Sequence, residues 1–322
     1  MLPRVAWIGL VLALWLLGPA AAQEARRTFR IGVLNEAWSA GHPTVEGLKA
    51  GLREIGFAEG RDVSFDIRFT EGKPEAMPAA AESLVKAGVD LIFTSQEAAT
   101  LAARNATKSI PIVFTSVGDP VGAAVVANLA QPAGNVTGIS SLQSELVAKR
   151  LQLLKTLVPS VRRVWLIYYG ADLGTTSMIG KALEAAPTLK LEVVPRGVLD
   201  AGALKRVLAE IRRGDAVLAP EGSGLDIPLA VLERSLALRL PAVFATALWV
   251  GHGGLVSYGP DSYAEGLQAA SLVAKILKGV RPSDLPVEGA DRVELSVNLK
   301  TSELLGLAVP LKILLRADAF RR

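Results

Sequence analysis

The chain has 322 residues, no Cys, two His and a formal net charge of +4, and half of its residues are hydrophobic. Its length predicts two domains of roughly 130–150 residues each, and its apolar content excludes a wholly disordered chain. The absence of Cys excludes disulfides, Fe–S clusters, Cys-ligated zinc and Cys nucleophiles, and the small, dispersed positive charge gives no footprint for nucleic acid.

Residues 1–22 are predicted to be a cleaved signal peptide. Arg4 gives the positive n-region, Val5–Leu17 is an uninterrupted apolar stretch, and Ala20–Ala22 supplies small residues before Gln23. As a helix this apolar stretch rises only about 20 Å, against a hydrocarbon core of about 30 Å, so a membrane anchor is the less favoured interpretation. Because no Cys follows it, a lipid anchor on a cysteine is excluded, and we expect export to the periplasm.

The first half of the mature chain alternates short apolar strands with amphipathic helices. Predicted strands cover Phe29–Leu34, Val63–Phe69, Val89–Thr94 and Ile110–Thr115, and predicted helices cover Pro43–Ile55, Pro74–Ala87 and Glu97–Lys108. This repeated order of strand and helix predicts a mostly parallel sheet with right-handed crossovers.

The same alternation starts again in the second half. Predicted helices cover Ser144–Leu157, Ser177–Ala186, Ala201–Arg213, Ile227–Leu240 and Ser262–Lys278, and predicted strands cover Arg163–Tyr169, Leu191–Pro195, Asp215–Pro220, Pro241–Thr246 and Val293–Val297. No Ser/Gly linker occurs, so we expect short ordered crossings near Ile139–Ser141 and Tyr258–Asp261. The predicted fold class is α/β, with two doubly wound Rossmann-like lobes and a ligand cleft between them.

Six strings along the chain carry a resemblance to a known family. They are Gly47–Gly60 (GLKAGLREIGFAEG), Ile110–Gly122 (IPIVFTSVGDPVG), Gly134–Gly138 (GNVTG), Gly253–Pro260 (GGLVSYGP), Lys275–Glu288 (KILKGVRPSDLPVE) and Asn298–Gly306 (NLKTSELLG). In their order and spacing the chain resembles, from about Phe29 to Phe320, the bacterial extracytoplasmic ABC-transporter substrate-binding proteins, whose members include tryptophan- and tyrosine-binding proteins.

The resemblance implies a periplasmic-binding-protein fold of type I, capture of a small solute, and delivery to an ABC permease in the inner membrane. The permease would be the protein's only link to the membrane, and no cofactor or metal is expected. By analogy with related two-lobed folds, lobe 1 is predicted to comprise residues 28–140 and 260–290, and lobe 2 residues 141–259 and 291–322. The ligand implied is an amino acid, including an aromatic one, or a similar carboxylate.

Candidate ligand-binding residues of the first lobe follow the carboxyl ends of its strands, where ligands of such sheets bind. Trp38 offers a ring for stacking, with packing in the core as the alternative, and Ser39 precedes a helix whose free amides can hold an anion. Ser95 and Gln96 open another helix, and Ser95 is also a plausible helix cap. Family members place a ligand contact at this turn.

The next strand of the first lobe ends in TSVGDPV. Ser116 comes directly after the strand and is the better-placed contact of this string. Asp119 is a candidate partner for a ligand ammonium group, and capping of the following segment is the stronger alternative.

In the second lobe the candidates also follow strands. They are Tyr169, Asp172 and Thr175 after the first strand, Glu221 and Ser223 in EGSG, and Thr246. Asp172 and Glu221 offer a negative charge to an amine, although Glu221 is equally explained as a solvated carboxylate. Relatives often have Asn and Pro near Asp172, so specificity is expected to differ there.

Enzyme motifs are absent from the sequence. Gly251–Gly254 (GHGG) resembles an oxyanion-hole loop, but no G-x-S-x-G occurs, and there is neither a Walker A string nor a G-x-G-x-x-G after a strand. We therefore predict a binding protein and not an enzyme. The alternatives are a ligand-sensing receptor of the same fold and, less favoured, an exported enzyme; the predicted signal peptide disfavours a cytoplasmic repressor.

Overall fold

The computed structural model describes residues 27–36, 41–71, 73–219 and 225–321, and two sheets flanked by helices form its frame. The strands are β1 (Phe29–Asn35), β2 (Val63–Phe69), β3 (Leu91–Ser95), β4 (Ile112–Val117), β5 (Val136–Ser140), β6 (Arg163–Tyr169), β7 (Glu192–Val198), β8 (Ala216–Ala219), β9 (Ala242–Phe244), β10 (Val256–Pro260), β11 (Glu288–Gly289), β12 (Val293–Asn298) and β13 (Ala319–Arg321). The helices are α1 (Pro43–Glu54), α2 (Met77–Lys86), α3 (Glu97–Ala106), α4 (Gln143–Leu157), α5 (Thr175–Ala185), α6 (Ala201–Glu210), α7 (Ile227–Leu238), α8 (Ala247–Gly251), α9 (Ser262–Leu277), α10 (Leu299–Leu304) and α11 (Leu311–Leu314).

The first lobe is built on a parallel sheet in the order β11-β5-β4-β3-β1-β2. Its strands β1, β3 and β4 are buried almost throughout, because helices cover both faces. On one face Val33 and Phe93 pack against α1 and α9, and on the other Ile92 and Phe114 pack against α2 and α3. The carboxyl ends of β3 and β4 are thereby fixed side by side.

Helix α9 packs closely on α1, although nearly the whole second lobe separates the two in sequence. Glycines allow the approach: a Cβ atom on Gly47 would lie 2.0 Å from the carbonyl oxygen of Tyr263, and one on Gly266 would lie 2.0 Å from that of Thr44. Gly47 and Gly266 therefore allow the short distance between these helices.

The second lobe is built on a sheet in the order β13-β12-β10-β9-β8-β6-β7, parallel except for the pair β10 and β12. Its two core clusters lie under α4 and α5 on one face and under α6 and α7 on the other. The chain passes between the two sheets after β5, between β10 and β11, and between β11 and β12. The lobe boundaries given from the sequence stay a prediction.

The predicted α/β order is confirmed, with differences at particular elements. Strand β5 lies where the sequence predicted only a crossing. The sequence does not predict this strand because it is short and has Gly138 at its centre. The helix predicted to run to Arg213 ends at Glu210, since Ile211 is extended. Helix α8 was not predicted, and the strand before it is only Ala242–Phe244.

The predicted signal peptide, residues 1–22, lies outside the described residues. Within the part of the chain that the structure describes, the helices are all too short or too polar to cross a bilayer.

Candidate functional site

A pocket lies where the first and second lobes meet, at the carboxyl ends of β3, β4 and β6. It contains about 470 Å³ of empty space, part of it open to solvent. The residues that line it are Gln96, Glu97, Ser116, Gly118 and Asp119 from the first lobe, and Gln143, Asp172, Gly174, Thr175 and Met178 from the second. Both lobes thus contribute several polar side chains, and Met178 of the second lobe contributes an apolar one.

The backbone around this pocket is strained at three residues that are not glycine. Gln96 has φ 75° and ψ 166°, Ser116 has φ 57°, and Leu142, which precedes the pocket residue Gln143, has φ 55°. Such conformations cost about 1–3 kcal/mol each and persist only where the surrounding structure holds them. Their clustering here is typical of a functional site.

Ser116 is held by a buried carboxylate. It is 7% exposed, and its hydroxyl donates to Oε2 of Glu265, 2.8 Å away in the first turn of α9. Because the hydrogen is committed to Glu265, the Ser116 oxygen faces any further partner as an acceptor. The bond also explains how a non-glycine residue is kept at positive φ where β4 has an irregular register.

Three helices begin at the pocket without a side-chain cap. These are α3, α4 and α5, whose N-cap residues Gln96, Leu142 and Gly174 make no capping hydrogen bond through their side chains. The first amides of a helix lack partners within the helix and carry the positive end of its dipole. The pocket therefore has positive polarity from the backbone of both lobes.

A buried arginine connects the pocket to the strand that leads back to the first lobe. Arg150 of α4 is 2% exposed; its Nη1 donates to Oε1 of Gln143 at 2.5 Å, and its Nε donates to the carbonyl oxygen of Tyr258 in β10 at 2.7 Å. Since the Gln143 oxygen accepts from Arg150, Gln143 can turn its amide N–H groups toward a ligand. Gly118 makes room for Gln143, because a Cβ atom there would lie 2.9 Å from its side chain.

Glu97 joins the two lobes across the mouth of the pocket. It belongs to α3 of the first lobe, and its Oε1 accepts from the backbone N–H of Leu173, 3.2 Å away in the second lobe. Burial and the nearby charge of Asp172 raise the pKa of Glu97 to about 7, with a smaller contribution from Asp119, while hydrogen bonds from the amides of Leu173 and Gly174 oppose the rise. The surroundings of Glu97 therefore favour its protonated form more than water does.

The structure brings together five of the residues predicted to bind a ligand: Gln96, Ser116, Asp119, Asp172 and Thr175 all line the pocket. Two of them also have local roles. Asp119 Oδ1 accepts from the N–H of Gly122 at 2.8 Å, and the Thr175 hydroxyl donates to the carbonyl oxygen of Asp172 at 2.7 Å.

Three other predicted residues do not line this pocket. Ser95 is 2% exposed, and its hydroxyl lies 3.2 Å from Thr44 Oγ1 and 3.1 Å from Thr115 Oγ1, so it supports the pocket from behind. Tyr169 packs at the edge of the core formed with α6 and α7. Thr246 precedes α8 and makes no side-chain capping bond.

The remaining four predicted residues, Trp38, Ser39, Glu221 and Ser223, lie outside the described residues. In the sequence they follow β1 and β8, which are neighbours of β3 and β6 in the two sheets. Their contact with a ligand stays a prediction.

Sequence reasoning missed Glu97, Gln143 and Met178. The sequence pattern predicts only that a helix begins at Glu97. Like Gln96, however, Glu97 is a polar residue just after the end of a strand, which is the signal that selected Gln96. Gln143 had no such signal, because the strand before it, β5, was not predicted. Met178 lies one turn into α5 and is 3% exposed, which hydrophobic periodicity alone assigns to the core.

Side chains that could ligate a metal ion form no cluster in the described part of the chain. Among the described residues, no three His, Asp or Glu side chains lie close enough together to hold one. His42 instead caps α1, with Nδ1 2.7 Å from Thr44 Oγ1, and burial lowers its pKa.

Comparisons with known proteins agree with this architecture. Residues 39–321 match a family model described as ABC transporter substrate binding protein. The tyrosine-binding protein of Clostridioides difficile is 26% identical over 272 residues, which cover 83% of this chain and 78% of that protein.

Solved structures similar to this chain share its two-lobed fold. A conserved domain protein from Vibrio cholerae superposes with a TM-score of 0.84 and 28% identity, over 92% of this chain and 100% of the other. The ABC domain of a Streptococcus pneumoniae protein in complex with L-Trp gives 0.81 and 24%, over 91% of this chain and 100% of that one. The expected fold of two Rossmann-like lobes is confirmed.

Proposed function

Because the chain belongs to the family of ABC transporter substrate-binding proteins, we propose that it is the periplasmic solute-binding component of an ABC importer. Its ligand is an amino acid, including an aromatic one, or a similar small carboxylate. The observation that supports this function most directly is the pocket between the lobes, where backbone amides and carboxylates from both lobes converge. The tyrosine-binding relative supports the choice of ligand class.

The pocket suits a zwitterion because it offers both kinds of partner. The uncapped starts of α3, α4 and α5 favour a carboxylate by the polarity of their amides. Asp119, Asp172 and the Ser116 oxygen accept hydrogen bonds and suit an ammonium group. Met178 gives the ligand's side chain an apolar surface, and Trp38, which follows β1 in the sequence, is the candidate for stacking on a ring.

Capture would proceed by closure of the lobes around the ligand. A ligand shifts the balance between open and closed forms only by its differential affinity for them, so it must touch both lobes at once. The pocket residues meet this requirement, since Gln96, Ser116 and Asp119 belong to one lobe and Asp172 and Thr175 to the other. The closed form would then be the one that the permease recognises.

Isothermal titration calorimetry of the protein purified from the periplasm tests this function. We expect one of the twenty amino acids to bind with micromolar affinity or better, which corresponds to about −8.2 kcal/mol. Mass spectrometry of the same material tests cleavage before Gln23. Absence of binding to every amino acid would contradict the proposed ligand class.

Analogues of the bound amino acid test whether the protein recognises its amine and its carboxylate. Removal of either the amine or the carboxylate is expected to weaken binding by at least about tenfold, the cost of roughly one charge-assisted hydrogen bond. Asp172→Asn should weaken binding of the amino acid but not of its amine-free analogue. The matched control is Asp291→Asn, an exposed carboxylate between β11 and β12. Equal effects of the two substitutions would contradict the assignment of Asp172.

A further inference from the structure

Glu97 provides a direct contact between the two lobes. Its carboxylate accepts from the Leu173 N–H at 3.2 Å and also from the N–H of Gly174, the two amides that lead into α5. Helix α5 has no side-chain cap of its own. A side chain of the first lobe thus accepts the two amides that directly precede the first turn of α5, and the amides of that turn are not used by it.

The loop before α5 is shaped for this approach. A Cβ atom on Gly174 would lie 3.0 Å from Oε2 of Glu97, and 3.5 Å both from the carbonyl oxygen of Asp119 and from Cβ of Ala123. These three contacts all come from the first lobe, so Gly174 packs directly against it. The Leu173 side chain, by contrast, is 60% exposed and takes no part in holding the loop.

We propose that Glu97 is a positioning residue that holds the cleft closed by accepting the amides ahead of α5 from the opposite lobe, and that the carboxyl groups it meets on closure couple this movement to uptake of a proton. This inference rests on the proposed function, because it concerns the same closing movement. It assigns to Glu97 a role in the movement of the lobes, in addition to its place in the lining of the pocket.

The coupling to protons follows from the charges that face Glu97 in the closed cleft. Asp172 of the second lobe and Asp119 of the first both face it and are negative. Among the described residues, neither Lys nor Arg forms an ion pair with Glu97 or Asp119. Closure therefore brings three carboxyl groups together without a basic partner for Glu97.

The sign of the pH dependence is fixed by the direction of the shift. The pKa of Glu97 is raised from its ordinary 4.5 to about 7 in the closed cleft, whereas an open cleft exposes the group. The closed form consequently binds more protons between these values, so closure is favoured as the pH falls through about 7 and is lost as it rises. From about pH 8.5 to about pH 5.5 this shift corresponds to about a thirtyfold rise in the closure constant, which solvent screening reduces to about tenfold.

Spin-label distance measurements on the ligand-free protein test this inference. The chain has no Cys, so labels attach only at introduced sites, for which exposed Glu82 on α2 and Glu184 on α5 are suitable. Between about pH 8.5 and about pH 5.5 we expect the ratio of closed to open molecules to rise about tenfold. A ratio that does not change with pH would overturn the proposal, and so would a closed population of zero throughout.

Two substitutions separate the effect of the hydrogen bond to Leu173 from the effect of the negative charge on Glu97. Glu97→Gln keeps an oxygen that can accept from Leu173, so the closed population should be high and independent of pH. Glu97→Ala removes the acceptor, so at about pH 5.5 its closed-to-open ratio should be at least tenfold lower than in the unsubstituted protein. Glu210→Gln, an exposed glutamate at the end of α6, is the matched control and should leave the pH response intact. Closed populations unaffected by both Glu97 substitutions would overturn the proposal.

Adding amino acids to the labelled protein distinguishes this inference from the proposed function. If no amino acid closes the cleft but the pH response and its loss in Glu97→Gln are observed, the ligand class is wrong and the role of Glu97 stands. If a ligand closes all variants equally and pH has no effect, the proposed function stands and the role of Glu97 is wrong.

Discussion

The two sides of the pocket are held in place by different means. On the first-lobe side, Ser116 is buried and bonded to Glu265, and the strained Gln96 is fixed by an N–H bond to the carbonyl oxygen of Thr115 at 3.0 Å. On the second-lobe side, the loop from Asp172 to Thr175 is more exposed and bonds mainly to itself and to Glu97. One side is therefore held by its own lobe, and the other is held partly by a contact with the opposite lobe.

The same contrast extends to the helices behind the pocket. Helix α9, which carries Glu265, lies against α1 at the distance that Gly47 and Gly266 permit. Helix α5 follows the loop of the second lobe and has open space beside Gly180. Tight packing fixes α9 against α1, whereas α5 has room for a methyl group at Gly180.

The largest expected effect comes from placing the same methyl group in these two helices. Gly266→Ala should lower the free energy of unfolding by about 3 kcal/mol, because its Cβ would lie 2.0 Å from a backbone oxygen of Thr44 and the helices must separate. Gly180→Ala meets nothing within 4 Å, so it should raise that free energy by about 0.5–1 kcal/mol through helix propensity. Urea unfolding measures both. Changes of the same sign in the free energy of unfolding would contradict the difference in packing between the two helices.

A smaller effect is expected from removing one hydroxyl on each side of the pocket. Ser116→Ala leaves the buried Glu265 carboxylate without its 2.8 Å donor and should cost about 1–3 kcal/mol of unfolding free energy. Thr175→Ala removes a 2.7 Å bond to the half-exposed loop and should cost less than about 1 kcal/mol. Chemical denaturation of both variants beside the unsubstituted protein gives the difference. A larger loss in Thr175→Ala would show that the second-lobe loop is the preorganised side.

Much of the fold is predictable from the sequence because its elements have local signals. The strands Phe29–Asn35 and Arg163–Tyr169 are apolar runs of ordinary length, and Pro43 and Gly56 mark the limits of α1. The rule that ligands bind at the carboxyl ends of parallel strands then selects loops whose residues line the pocket. Gln96, Ser116 and Asp172 were found in this way.

The parts that could not be predicted depend on contacts between distant residues. Ser95 and Gln96 are adjacent in sequence and equally polar, yet one hydroxyl is taken up by Thr44, 51 residues away, while Gln96 faces the pocket. Glu97 gains its role from the second lobe, 76 residues further along the chain. Local sequence patterns carry no information about contacts between residues so far apart. Residue types alone therefore cannot distinguish the role of Ser95 from that of Gln96 or Glu97.

The smallest expected effect concerns the loop of the second lobe that Glu97 contacts. Gly174→Ala has no conformational obstacle, because φ is −66° there, and as an N-cap change it should cost less than about 1 kcal/mol of unfolding free energy. Its Cβ would nevertheless lie 3.0 Å from Oε2 of Glu97, so the closed form must give way by a few tenths of an ångström. We expect ligand affinity in calorimetry to fall by about threefold to tenfold, which corresponds to about 0.7–1.4 kcal/mol. Gly180→Ala on the same helix should leave affinity unchanged, and an unchanged affinity in Gly174→Ala as well would mean that the loop adapts to the first lobe without being ordered by it.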